Sequence, residues 1–265
     1  MVCVTYYGMF TRKLATCLVI LAFLCIGPVT MAGFASSDTT VSWGLKPNTT
    51  EQTPDVGERG AKLLQANNGI FVGDTTKKEV YLTFDLGYEA GYTDEVLDVL
   101  KENNVKAIFF LCGNYLKEEE LVNRMITDGH AIGNHTNHHK DLPKLGAKAM
   151  RADITQFDEK FKEKYGAAYN KPLRHFRPPS GRFNEAVLKE ANAQGLRTLM
   201  WSIAIVDWNK KPIDAAKSAN KVTSRVHPGA IMLFHIANSG MPEMLKLLIP
   251  QLKEKGYTIG DATTL

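Results

Sequence analysis

From Val80 onward, short apolar runs alternate with longer segments that are apolar on one face only. The runs VYLTF (80–84), AIFFL (107–111), HAIG (130–133), LRHFR (173–177), TLMWSIAI (198–205), AIMLF (230–234) and YTIG (257–260) predict strands. Between them the amphipathic segments predict helices over Thr93–Asn103, Glu118–Asp128, Gly146–Tyr165, Asn184–Ala193, Ile213–Arg225 and Met241–Lys255. Strand and helix in turn is the pattern of parallel strands, because a parallel pair needs a crossover of about a dozen residues or more. Seven strand-like runs predict an α/β fold, either a small strand-helix barrel or a doubly wound sheet, and both place reactive residues just past the C-terminal ends of the strands. Five candidate groups stand there: Asp85 after VYLTF, His135 after HAIG, Arg177 at the end of LRHFR, Asp207 after TLMWSIAI and His235 after AIMLF. Their complementary chemistry, two acids, two imidazoles and a guanidinium, predicts a catalytic cluster.

The segment before Val80 lacks this alternation. Arg12 and Lys13 precede an uncharged run from Leu14 to Ile26, broken by Gly27 and Pro28, and Gly33-Phe34-Ala35 offers a small-x-small cleavage pattern. Residues 1–35 therefore read as a signal peptide or an uncleaved N-terminal anchor, and either places the working domain outside the cytoplasm, secreted or membrane-anchored. Residues 36–75 are rich in Ser, Thr, Asn, Pro and Gly and read as an N-terminal arm, a lid or tether with one helical stretch near Gly60–Ala66; residues 76–265 form the catalytic domain. Asn48-Thr49-Thr50 matches a glycosylation sequon but reads as a polar loop.

Charge and cysteines narrow the class. The 32 basic residues exceed the 28 acidic ones by four, and Arg12 and Lys13 account for half of that excess, which excludes a nucleic-acid-binding surface as the main business of the chain. A hydrophobic fraction of 44% with 23% charged residues excludes disordered and collagen-like chains. Cys3, Cys17 and Cys25 lie in or before the leader; bulky Leu24 argues against a lipoprotein cysteine at Cys25. Cys112 is left alone, so the exported domain has no internal disulfide and suits a bacterial cell surface. Within IFFLC, Cys112 reads as a buried core thiol.

His135 and His139 are four residues apart, a spacing that puts both imidazoles on one face if the segment turns helically and outlines a divalent-metal site; the alternative is a solvated loop, since a pair of histidines by itself lacks the third ligand zinc usually takes. His138 would point away from that face, and His130 reads as a capping or packing residue. Thr83-Phe84-Asp85-Leu86-Gly87, His135 to His139, Arg177-Pro178-Pro179-Ser180-Gly181, Asp207-Trp208 and Leu233-Phe234-His235 stand in one order along the chain. In that order they resemble the five motifs of the polysaccharide deacetylases of the NodB-homology class, whose first three read TFDDG, H-[ST]-x-x-H and RxPxG. The resemblance runs from Val80 to the C-terminus. Phe84 to Glu89, Gly91-Tyr92-Thr93 and Ser42-Trp43-Gly44 further resemble the delta-lactam-biosynthetic branch of spore-forming bacteria, whose members deacetylate muramic acid during cortex formation.

The resemblance implies a deformed (β/α)7 barrel and a hydrolase in which a divalent metal activates water and stabilises the oxyanion. It implies Asp85 as general base, with Arg177 holding that carboxylate ionised, although a purely structural ion pair would use the same contact. It implies His235 as general acid supported by Asp207, and His135 and His139 as metal ligands. Trp208 and Leu233 would wall the acetyl pocket or simply pack in the core, and Pro179 belongs to the substrate-binding turn. Leu86 departs from the pattern, because it stands where the common pattern has an aspartate ligand and this branch often has asparagine. The implied ion, zinc, manganese or magnesium, is therefore weakly held and exchangeable. Glu89 reads as a solvated loop residue or a sugar-binding carboxylate ahead of a substitute ligand, and Lys140 replaces a common proline without clear consequence. The expected partner is peptidoglycan glycan, with N-acetylmuramic acid lacking stem peptide as substrate. The alternatives are N-acetylglucosamine in peptidoglycan or chitin-like chains, and a glycan-binding module that has lost its metal.

Overall fold

The computed structural model describes residues 39–209 and 211–265; the leader expected over 1–35 lies outside them. Ten strands are described: β1 (Val41–Ser42), β2 (Glu79–Leu86), β3 (Ile108–Leu111), β4 (Ala131–Asn134), β5 (His175–Phe176), β6 (Arg182–Phe183), β7 (Arg197–Thr198), β8 (Ile203–Ala204), β9 (Ile231–Phe234) and β10 (Thr258–Ile259). The α-helices are α1 (Glu58–Ala66), α2 (Thr93–Glu102), α3 (Glu119–Thr127), α4 (Ala147–Tyr165), α5 (Glu185–Ala193), α6 (Ala215–Thr223) and α7 (Met241–Glu254). Among these residues no helix is long and apolar enough to cross a membrane.

One parallel sheet runs in the order β7-β5-β4-β3-β2-β9-β8, and β10 pairs with the start of β2. Its two ends, β7 and β8, are separated in the chain by residues 199–202 alone, so the sheet must curl round toward itself. This is the deformed barrel expected, and the doubly wound alternative falls away. The single run expected over 198–205 is split here, because the chain leaves one edge of the sheet and joins the other. Ile70 bridges in parallel to Leu199 and Val72 in antiparallel to Ala230, so residues from the arm lie across the seam. β1 pairs with β6, joining the arm to the turn that follows β5.

The central strands are buried on both faces, as parallel strands covered by helices must be. Alternation then sorts their side chains. Leu82, Phe84, Phe109, Leu111, Ile132, Met232 and Phe234 join the core beneath the helices, while Tyr81, Ile108, Phe110, Ala131 and Ile231 form a second cluster on the opposite face. Helix α7 contributes Leu245, Leu248, Ile249 and Leu252 at helical spacing, each worth about 1.5–3 kcal/mol of burial relative to exposure. Asn184 and Asp214 cap α5 and α6 by accepting from Val187 N and Lys217 N. The same alternation that buries Tyr81 points Thr83 and Asp85 to its side of β2, toward the C-terminal mouth.

Candidate active site

Arg177 leaves the end of β5 and turns its whole side chain inward, with 0% exposure. Its guanidinium lies 4.1 Å from the Phe110 ring centroid. Nε donates to the carbonyl of Leu199 at 2.9 Å, and Nη1 donates to Thr83 Oγ1 at 2.9 Å and to Asp85 Oδ1 at 2.8 Å. A buried charge survives only when paired and fully bonded, and these contacts meet both needs. Burial of Asp85 by itself favours the neutral acid, but Arg177, His135 and His235 outweigh it and hold the carboxyl below its usual range.

Opposite stands His235, at the end of β9. Its Nδ1 lies 2.9 Å from Asp207 Oδ1, and its backbone N–H donates to Asp207 Oδ2 at 2.8 Å. Asp207 is held in turn by Asn238, whose side-chain amide donates to the Asp207 carbonyl at 2.9 Å. Burial disfavours charge on His235, yet the Asp207 carboxylate overcomes it and raises the imidazole above its ordinary value. Trp208 lies edge-on to His235 with ring centroids 5.9 Å apart.

His135 and His139 come together, but by a different device from the helical face expected. Residues 135–140 form no helix; Thr136 and His139 adopt φ of +65° and +54°, and this turn brings the two rings to 5.0 Å. The loop is fastened to α4, where Asp153 accepts from Asn137 N through its carbonyl and from His138 N through Oδ1. His138 lies against Asp153 at 2.5 Å, away from the pair, and His130 accepts from Ala107 N. Gly113 permits the loop's approach: a Cβ there would stand 2.1 Å from Asn137 Oδ1 and 2.7 Å from its carbonyl oxygen.

His135 Nδ1 donates to the carbonyl of Arg177 at 2.7 Å, which fixes the tautomer and leaves the Nε2 lone pair free, 3.6 Å from Asp85 Oδ2. Burial lowers this ring's pKa to about 4, so it is neutral at physiological pH, the form in which an imidazole can bind a metal. A third donor stands beside the pair: Cys112 Sγ and the ligand nitrogens of His135 and His139 all lie within 4.8 Å of one another. Two imidazoles and a sulfur suit a divalent transition metal.

Asp85, Leu86, His135, His139, Trp208, Leu233 and His235 line one cavity of about 650 Å³. Pro179 does not; it is buried behind Ser180 and Gly181, which line the cavity instead. Glu89 also serves elsewhere. Its Oε1 accepts from the backbone of Gly91 and Tyr92 and its Oε2 from Thr93 Oγ1 and Tyr115 Oη, so the carboxylate is consumed at the start of α2. The sequence reading missed Cys112, Tyr88 and Trp201 as cavity or donor residues. Cys112 follows a strand end like the other candidates, and that signal was overridden by its apolar neighbours.

A family model described as polysaccharide deacetylase matches residues 72–199. The peptidoglycan-N-acetylmuramic acid deacetylase PdaA of Bacillus subtilis is 37% identical over 242 residues, covering 89% of this chain and 91% of PdaA. The chain belongs to the polysaccharide deacetylase family. Members of this family are hydrolases of N-acetyl amides. The PdaA structure, a family 4 carbohydrate esterase, matches with a TM-score of 0.77 at 36% identity, covering 84% of this chain and 94% of that one. A peptidoglycan-N-acetylglucosamine deacetylase of Bacillus cereus is 38% identical over 191 residues, 70% of this chain and 67% of its own. BA3943 of Bacillus anthracis, a pseudoenzyme of the same esterase family, matches with a TM-score of 0.68 at 33% identity, covering 74% and 68%.

Proposed function

We propose that this polysaccharide deacetylase removes N-acetyl groups from peptidoglycan strands outside the cytoplasm, acting on N-acetylmuramic acid that lacks its stem peptide as a step toward muramic lactam in spore cortex. The observation that carries the reading is the pairing of an ionised acid and a supported imidazole on one cavity, Asp85 with Arg177 and His235 with Asp207. The muramic acid assignment is supported by the similarity to PdaA over nearly the full length of both chains.

When bound at His135 and His139, a divalent ion supplies Lewis-acid polarisation of the acetamide carbonyl. Asp85, kept ionised by Arg177, accepts the proton of the attacking water. His235, carrying its proton because Asp207 stabilises the imidazolium, delivers it to the departing nitrogen, so acetate and a free amine result. Leu233 and Trp208 wall the acetyl group. Trp208 and Tyr88, 56% and 44% exposed at the rim, offer aromatic surface for a sugar ring.

A second reading, a glycan-binding module without turnover, is favoured by Leu86, which offers no donor, and by the similarity to BA3943. Acetate release by the purified full chain from peptide-stripped strands separates the two. The expected result is loss of release with chelator, its return with zinc, manganese or magnesium, and acetyl loss mapped by mass spectrometry to muramic acid. Acetyl loss from glucosamine instead refutes the substrate assignment. Strands that bind but release no acetate with any metal establish the binding module.

A further inference from the structure

Leu86 and Cys112 are neighbours across the sheet. Leu86 pairs with Leu111 in the register of β2 and β3, and Cys112 N donates to the Leu86 carbonyl at 2.9 Å. Leu86, which offers no donor, is thus flanked by a residue whose sulfur lies within 4.8 Å of the ligand nitrogens of His135 and His139. Cys112 is a free cysteine, 3% exposed, and its thiol points to the carbonyl of His135 at 3.5 Å, on the same loop as the histidine pair. Independently of the cysteine, His135 is 96% buried at its side chain, lines the cavity and spends Nδ1 on the carbonyl of Arg177, which leaves Nε2 as its ligand nitrogen, 3.6 Å from Asp85 Oδ2.

We propose that Cys112 is the third protein ligand of the metal site, completing a Cys-His-His set with His135 and His139 and leaving the fourth position to water or substrate. The inference rests on the metal-assisted reading above and adds to it the ligand and the metal class. Zinc bonds of ~2.3 Å to sulfur and ~2.0–2.1 Å to nitrogen put tetrahedral ligands ~3.3–3.6 Å apart, so a set within 4.8 Å closes by about 1.5 Å at most. A thiolate is a soft donor, and its presence selects zinc or cobalt over magnesium and manganese. The set therefore replaces the weakly held, exchangeable ion expected from Leu86 with a selective site.

Cobalt(II) titration of the purified full chain tests the assignment directly. The expected spectrum contains a near-ultraviolet sulfur-to-cobalt charge-transfer band, which disappears in Cys112→Ser. Zinc affinity in Cys112→Ser is expected to fall at least about 100-fold, beyond the 10–100-fold typical of losing only an outer-shell partner. Cys112→Val, which keeps the apolar packing, gives the same loss should the serine variant misfold, and the wild-type spectrum needs no variant. Cobalt bound by the wild-type chain without the band, or zinc affinity unchanged in both variants, overturns the proposal. Metal-dependent acetate release without the band refutes Cys112 while sustaining the deacetylase reading; the band in a chain that releases no acetate sustains Cys112 and refutes that reading.

Discussion

Replacing Asp207 by asparagine isolates the charge behind His235. In the native site two carboxylate oxygens serve two donors, the imidazole Nδ1–H and the His235 backbone N–H. An amide has one oxygen, so Asp207→Asn satisfies one donor and sets an N–H₂ against the other, a buried mismatch worth ~1–3 kcal/mol of stability. The lost charge-assisted bond is worth ~1.5–3 kcal/mol to the imidazolium. At about 1.36 kcal/mol per pH unit, His235 should titrate ~1–2 units lower. The general acid works only when protonated, so the basic limb of the acetate-release profile moves down by the same ~1–2 units, and above both limbs the variant is ~10–100-fold slower. Because the folded pKa of His235 is raised, its contribution to stability is full below the unfolded value and is lost as pH rises through the folded one; in Asp207→Asn that loss shrinks. The assay is the pH dependence of kcat, with the His235 ring followed by NMR. A folded variant whose ring titrates lower while its basic limb stays in place refutes His235 as the acid.

Asp85→Asn should reduce acetate release at least ~100-fold, the lower bound for losing a general base. It also strands the fully buried Arg177 charge, so thermal unfolding should report a cost of about 3–5 kcal/mol; near-native turnover would refute the base assignment. Gly113→Ala places a methyl group 2.1 Å from Asn137 Oδ1 and should displace the His135–His139 loop, lowering zinc affinity in a competition titration; affinity equal to wild type would show that the loop yields without moving its ligands.

The strand ends were legible because parallel strands leave continuous apolar runs and their crossover helices keep a clear amphipathic period. Helices α2, α4, α5 and α7 begin and end within a residue or so of the sequence reading. The same logic found Asp85, His135, Arg177, Asp207 and His235, since each polar residue breaks such a run. Glu89 misled because a lone carboxylate near a motif looks free, and only the fold shows Thr93, Tyr115 and the first turn of α2 converging on it. Cys112 was hidden by the opposite effect: a thiol at the end of IFFL looks like one more apolar residue until the strand register sets it against Leu86. The left-handed turn of 136–139 leaves no signature, because neither Thr nor His advertises a positive φ.

Trp43 stands on the arm yet lines the cavity, with its Nε1 bonded to the carbonyl of Trp201 and its backbone N–H to that of Gly181. The family model spans residues 72–199, so Trp43 lies outside it, as do Asp207 and His235, whereas Asp85, His135, His139 and Arg177 lie inside it. The strand ends carry the groups proposed to act on the acetamide, and the hydrogen bonds described for Asp85, Arg177, Asp207 and His235 are made to none of residues 39–75. Substitution of Trp43 would reshape the cavity wall without altering Asp85, His135, His139 or His235 themselves.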